Sequence, residues 1–455
     1  MNSHREQLIV LARPVYFSLL ASVAAGVINT VWVSRLGGPA VAAVAVATNA
    51  ENVLLGVALV FASGTTVLVA HARGARDPGA VRAAVRGGWA LCAVVTPVVA
   101  IGGFLLREPL SRLVLGGGGG PALPLAVSYF AISMPGIAVF FAQQLVDGIL
   151  KGAGDTRTPM RLALLANGLI LVGDPLLIHL YGVQGAAACT VLCRSVALGV
   201  GLLALRRNAL LRTAAEPAFG VGVCLRRTLT TGLPMSADFT VRQAGTLGMV
   251  AVVARLGVTA VAAYSIAYKV LYVATMAFYA VRQAASIHTA HTRGAGAGGD
   301  GDGDGGGGGL GAIARQAVVV SGAVGLVAAV LLGGAAPWIM AAFGAGSAVA
   351  GEGVLFLRSV GPYLLLMAGF IALGGVFEGS GGAAVLLRVT VLGTAVQLPL
   401  AYGLSGFGLP GVCLALALAM GVQCGVVGVV LWRQRQRQRQ RQRQREAAGV
   451  VVRVG

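Results

Sequence analysis

Hydrophobic positions in this chain neither alternate nor form a stripe opposite a polar face. They continue for about 20 residues at a time, the length that crosses a bilayer as a helix. Twelve such runs occur, near 8–33, 40–70, 84–106, 122–146, 159–180 and 183–205, then near 228–254, 259–287, 312–341, 354–377, 384–404 and 408–432. Polar residues collect in the short connections. The pattern predicts twelve transmembrane helices. Glycine and proline within the runs are tolerated at membrane depth.

The connections carry a repeat. AHARGA at 70–75 returns as AHTRGA at 290–295, an offset of 220. SRLGGPAVAAV at 34–44 matches ARLGVTAVAAY at 254–264 with seven of eleven positions identical, and Pro14 and Pro234 share the offset. Later, GILKGAGD at 148–155 faces GVFEGSGG at 375–382 (offset 227), and GVQG at 182–185 faces GLPG at 408–411 (offset 226). The slip fits an insertion in the Gly-rich tract 294–309. The chain therefore reads as a tandem duplication, with a first lobe at 1–213, a second at 214–432 and a basic tail at 433–455. Six spans per half insert both halves the same way up, as parallel repeats around a central cavity. The AHxRGA element falls at the cytoplasmic end of the second helix of each half. Its Arg can anchor to head groups and its Gly can end the helix. It is read as structural punctuation, not as a substrate site.

Composition agrees with the spans. Hydrophobic residues make up 57% of the chain and charged residues 11%, against about 25% charged in a soluble domain; mean hydropathy is +0.84. The net charge of +19 is almost all arginine, Lys151 and Lys269 being the only lysines. With a cytoplasmic N-terminus, the inner connections hold about three times as many basic residues as the outer ones, which places both termini inside. The tail RQRQRQRQRQRQR at 433–445 either fixes topology or holds anionic head groups. No nucleic-acid motif accompanies it. The first run is too long for a cleaved signal, so none is expected.

Other chemistry is sparse. The six cysteines form no CxxC pair and read as packing residues. Asp300, Asp302 and Asp304 alternate with glycine in the loop, but the acidic twelfth ligand of a helix–loop–helix calcium site is missing. His288 and His291 suit an interface better than a metal. No enzyme is expected, and no cofactor beyond an ion gradient.

Several motifs resemble the multidrug and toxic compound extrusion (MATE) family. They are RLG-x-x-AVAAV at 35–44, KGAGDTRTPM at 151–160 and GDPLLIHLYGVQGAA at 173–187, together with the Pro, RLG and AVAA elements repeated in the second half. The resemblance covers about residues 8–430. It implies an all-α fold of twelve helices in two lobes. It also implies a secondary exporter of organic, cationic or amphipathic small molecules, exchanged for protons or sodium ions by rocking of the lobes. A monomer among membrane lipids, in a plasma or organellar membrane, goes with it. A lipid-linked precursor flippase of the same superfamily is the alternative, kept open by Arg13, Arg242, Lys269 and Arg282.

Charges inside the bilayer are costly and default to functional candidates. Asp174 is the sharpest, because Pro175 beside it removes a backbone donor and kinks the helix. A carboxylate taken out of water favours its protonated form and so can load and release a proton. The family resemblance points to the same residue for cation coupling; the alternative is a solvated position at the outer mouth. Where family members often have Asp-Thr late in the first helix, this chain has Asn29 and Thr30. Where they often have Asn one turn before the fifth-helix Asp, it has Ile170, with Asn167 two turns before. Glu51, between Asn49 and Asn52, is a substitute carboxylate or a structural hydrogen-bonding group. Asp238 lies four residues from Arg242 and is an ion pair or a second-lobe coupling site. Glu378, the repeat counterpart of Lys151, is expected at the interface. Tyr264, Tyr268 and Tyr272, spaced by four, with Met276, Phe278 and Met367, could line a pocket for a delocalised cation or pack between helices.

Overall fold

A computed structural model describes residues 2–115, 120–208, 219–297, 308–344 and 346–454. The expected lobe boundary near 213 and the Asp300–Asp302–Asp304 loop lie outside the described residues. Among those described the architecture is all-helical, with no strand. The elements are α1 (Asn2–Ser34), α2 (Gly38–Gly74), α3 (Pro78–Leu105), α4 (Arg107–Val114), α5 (Ala122–Gly152), α6 (Arg157–Arg207), α7 (Val221–Ala254) and α8 (Val258–Ala297). They continue as α9 (Gly308–Gly334), α10 (Ala336–Ala342), α11 (Ser347–Ser359), α12 (Gly361–Gly379), α13 (Ala383–Leu404) and α14 (Gly408–Val454).

Nine described segments are long and apolar enough to cross a membrane. Two of these are 51 residues long, far more than the roughly 20 one crossing needs. Each breaks at a glycine: Gly182 (φ 58, ψ −133) inside α6 and Gly408 (φ 69) between α13 and α14. Just after each break a glycine lies against the preceding segment. A Cβ on Gly185 would sit 1.9 Å from the Leu177 carbonyl oxygen, and one on Gly411 would sit 2.1 Å from that of Leu404. With both divisions, and with α7 as a further helix of spanning length, twelve crossings result, as the hydropathy pattern predicts.

Boundaries differ where proline intervenes. The run near 312–341 ends sooner, at Gly334, and Pro337 opens the separate α10. The run near 354–377 divides at Val360, with Pro362 in the first turn of α12. Pro lacks the backbone donor a helix interior needs, so it starts segments more readily than it continues them. The short α4 carries an exposed Glu108–Arg112 pair one turn apart (2.6 Å); its polar residues hid it from a search for apolar runs. α3 begins at Pro78, ahead of the apolar run near 84–106, because Asp77 caps it there (Oδ1 accepts from the Ala80 N–H, 2.9 Å).

The duplication is written in the backbone. Residues with φ near +60° to +100° are almost always glycine, and six of the seven such glycines fall into pairs: Gly37 with Gly257, Gly154 with Gly381, and Gly182 with Gly408. Their offsets, 220, 227 and 226, are those of the sequence repeat. Pro14 and Pro234 both sit inside helices, α1 and α7.

The chain divides into two compact units. The first comprises 7–240 with 286–298, and the second comprises 241–285 and 299–455 with 1–6. The first unit's core gathers Phe61, Phe130, Phe141, Leu145 and Ile149 around the α2–α5 contact, where Phe61 and Phe141 meet edge to face at 5.3 Å. The second unit's core gathers Met249, Tyr264, Phe278, Phe356 and Leu364.

Within the first unit the repeated hexapeptides meet. A Cβ on Gly74 would lie 1.9 Å from the His291 carbonyl oxygen, and a Cβ on Gly294 would lie 1.9 Å from that of His71. Each copy supplies the glycine that the other copy's backbone needs. Helix termination, the role expected from sequence, holds for Gly74 at the end of α2 but not for Gly294, since α8 continues to Ala297. Close approach of two helix backbones is the role they share.

Candidate functional site

α1 and α6 are joined by two side-chain hydrogen bonds with the same sequence separation of 145. Asn167 Nδ2 donates to Ser22 Oγ at 3.3 Å, and Asn29 Nδ2 donates to Asp174 Oδ2 at 2.6 Å. The two contacts are seven residues apart on each helix, so α1 and the first half of α6 run parallel with two turns in register. Three of the sequence candidates, Asn29, Asn167 and Asp174, therefore belong to one seam.

Asp174 is 1% exposed. Its Oδ2 is held by Asn29, whereas its Oδ1 is buried with no hydrogen-bond partner. The Cys189 thiol, on the second half of α6, lies beside Gly173 and neighbours the carboxyl group. Cys189 and Cys193 are free thiols with sulfurs 3.8 Å apart. A buried carboxyl with one oxygen fixed and one unsatisfied can accept a proton, or turn that oxygen to a small cation, without breaking the Asn29 bond.

Glu51 stands apart from this pair. It lines a pocket in the first unit with Tyr129, Ser133, Phe140, Thr190 and Arg194. Its carboxylate is 3.8 Å from the Arg194 guanidinium, and the two side chains are about a third exposed (32% and 27%). Arg194 also lies over the Phe140 ring, 4.9 Å from its centroid.

Sequence reasoning missed Arg194. The signal was present: a lone cation near the middle of the run 183–205. Its setting is not local, because Glu51 and Phe140, which lie beside it, are 143 and 54 residues away. Asp147 has no reading in the sequence either. It lies one turn before Lys151 in α5, past the end of the apolar run, and its Oδ1 is buried without a partner.

The second-unit candidates are differently placed. Arg282 Nε and Nη2 both donate to Glu378 Oε1, at 3.2 and 2.5 Å, with exposures of 8% and 12%. Glu378, expected at the interface, is thus enclosed in an ion pair. Arg242 lies 5.9 Å from the Phe370 ring centroid. Asp238, in the first unit, is 1% exposed and has interaction partners. Of the expected pocket residues, Tyr264 and Met276 are buried, Tyr268 is half-buried and Tyr272 is exposed. Tyr264 stacks on Tyr268 (5.6 Å, 24°) and meets Phe356 edge-on at 5.3 Å.

Comparison with known proteins follows this geometry. The MatE family model matches residues 14–176 and 234–403, one stretch in each repeat. The probable multidrug resistance protein YpnP of Bacillus subtilis (strain 168) is 27% identical over 200 residues, which span 43% of this chain and 44% of that relative, less than half its length. The crystal structure of MATE in the straight conformation superimposes with a TM-score of 0.87 at 21% identity, covering 96% of this chain and 97% of that one. A MOP superfamily transporter from Pyrococcus furiosus, for which reverse polarity of the binding pocket suggests a different function, gives 0.84 at 21% identity over 95% and 96%. These structures share the fold. The family match covers well over half of the chain, along both copies of its repeat; this multi-pass membrane protein belongs to the MatE family.

Proposed function

We propose that the chain is a secondary active exporter of amphipathic organic compounds, which it exchanges for protons or sodium ions by alternating access of its two repeats. The observation that carries this reading is Asp174, enclosed by apolar helices with one oxygen on Asn29 and the other without a partner. Buried ionisable groups of this kind mark ion pathways in membrane proteins. The kink at Pro175, inside α6, gives the helix a point about which the carboxyl environment can change. The relative named as a probable multidrug resistance protein supports an export role. Amphipathic cargo is retained as the class, not cationic cargo alone, because Tyr264 of the aromatic stripe is a core residue, as is Met276.

Asp174→Asn keeps shape and hydrogen bonding and removes the charge change. In proteoliposomes, dye efflux driven by a proton or sodium gradient, each imposed separately, should fall at least tenfold in this variant. Glu51→Gln should cause a partial loss and Asp238→Asn a smaller one. Normal transport by Asp174→Asn with a dead Asp238→Asn would move coupling to Asp238 and defeat the assignment.

A further inference from the structure

Arg194 is a bilayer cation for which the exporter reading has no task. The second half of α6 runs from Val183 to Arg207, and Arg194 is about 17–20 Å along the helix from either end, at 1.5 Å per residue. A guanidinium at that depth is expensive unless it faces a cavity or a partner. It faces the pocket, together with the hydroxyl-bearing side chains of Tyr129, Ser133 and Thr190. Its ion partner Glu51 is 3.8 Å away, too far for a hydrogen bond. Elsewhere in the chain an arginine and a glutamate close to 2.5 Å. The Glu51–Arg194 pair is therefore loose, and the planar fork of donors that suits a carboxylate or phosphate is not filled by it.

We propose that Arg194 makes this pocket a receptor for an oxyanion, a carboxylate or phosphate group carried on an apolar or aromatic body. The inference rests on the exporter reading for transport but concerns binding alone. The two charges of the pocket are not equivalent. A cationic ligand that took Glu51 would leave the guanidinium unpaired at mid-membrane, and arginine cannot shed its proton. An anionic ligand that took Arg194 would fill the donor fork that the 3.8 Å contact with Glu51 leaves open. The Phe140 ring under the guanidinium orients the fork and offers a flat apolar surface to the body of the ligand.

Two xanthene dyes, fluorescein (anionic) and rhodamine 6G (cationic), separate the alternatives. Binding to the purified full chain in detergent is read by fluorescence polarisation, so it does not depend on transport. Wild type should bind fluorescein at least tenfold more tightly than rhodamine 6G. Arg194→Gln should weaken fluorescein at least tenfold and tighten rhodamine 6G, inverting the preference. Arg194→Lys, which keeps the charge but not the fork, should fall between them and guards against misfolding of the Gln variant. Three results would overturn the proposal: wild type preferring rhodamine 6G, wild type binding neither dye, or both dyes changing by the same factor in Arg194→Gln. If the dyes bind as expected yet neither moves under any gradient, the exporter reading fails while the receptor assignment stands.

Discussion

The two repeats cross the same pair of helices in the same way and decorate the crossing differently. In the first, Gly148 of α5 lies against the Ala62 carbonyl of α2; in the second, Gly375 of α12 lies against the Arg282 carbonyl of α8. The positions correspond by the repeat offsets. Glycine is required at both, because a Cβ would come within 2.7 Å of one carbonyl oxygen and 2.1 Å of the other. The charges diverge. Ala62, Asp147 and Lys151 of the first crossing answer to Arg282, Gly374 and Glu378 of the second. The second crossing is closed by a short, two-donor ion pair. The first leaves the Asp147 Oδ1 without a partner. Duplication preserved what the backbone needs and left the side chains free to specialise, one repeat toward a locked pair and the other toward groups that can still change partner.

The largest test breaks the lock. Glu378→Gln removes the carboxylate that accepts from Arg282 Nε and Nη2 and leaves one neutral acceptor oxygen in its place. Removing one member of a buried pair typically costs about 3–5 kcal/mol, enough to deplete folded protein in detergent. The counterpart substitution, Lys151→Gln, removes a partly exposed charge and should cost less than about 1 kcal/mol. Size-exclusion yield and thermal unfolding of the two variants measure the contrast. Equal losses would mean that both crossings depend on charge in the same way.

A smaller effect sharpens the symmetry. Gly74 and Gly294 make the same approach to the other copy of AHxRGA, so Gly74→Ala and Gly294→Ala should destabilise alike. Overpacking of this kind costs about 1–3 kcal/mol. Gly26→Ala is the control, since nothing lies within 4 Å of its would-be Cβ. Unequal shifts in unfolding temperature for the pair would show that the two contacts, alike in geometry, differ in energy.

How far the sequence could be read follows from which interactions leave a local trace. Spans are legible because every residue of a membrane helix must be apolar enough for lipid, whatever its neighbours. The duplication is legible because positive-φ turns and close helix crossings hold glycine at fixed offsets. Asp174 was found because Pro175 stands beside it. Nothing local marks its hydrogen bond with Asn29, 145 residues away. The same holds for the Arg282–Glu378 pair, with 96 residues between the partners. Arg194 and Asp147 were open to inspection, as charges in or beside apolar runs, but their pocket and their unfilled valences belong to tertiary packing. Spacing by four sets Tyr264, Tyr268 and Tyr272 on one face, but how deep each lies is decided by partners far along the chain: Tyr264 is buried against Phe356, and Tyr272 is exposed.

The least effect is expected where the repeats have no counterpart at all. Beyond the last crossing, α14 continues to Val454 through the arginine tail. Arginine at every second position is a strand period on a helical backbone. Arginine and glutamine alternate from 433 to 445 with no apolar residue among them. Such a sequence holds no apolar stripe of the kind that packs a helix onto a core. It can attract anionic lipid at about 1 kcal/mol for each charge near the surface, but that attraction does not distinguish one state of the transport cycle from another. Orientation is also secured without it, because the inner connections already hold the excess of arginine. Deleting 433–455 should therefore leave gradient-driven efflux within about twofold of wild type, while binding to vesicles containing anionic lipid falls. Both are measured on the same truncated protein, with protease accessibility reporting insertion. A truncation that inserts correctly and exports nothing would show that the tail acts on the helices directly, and would give the second repeat a moving part that the first lacks.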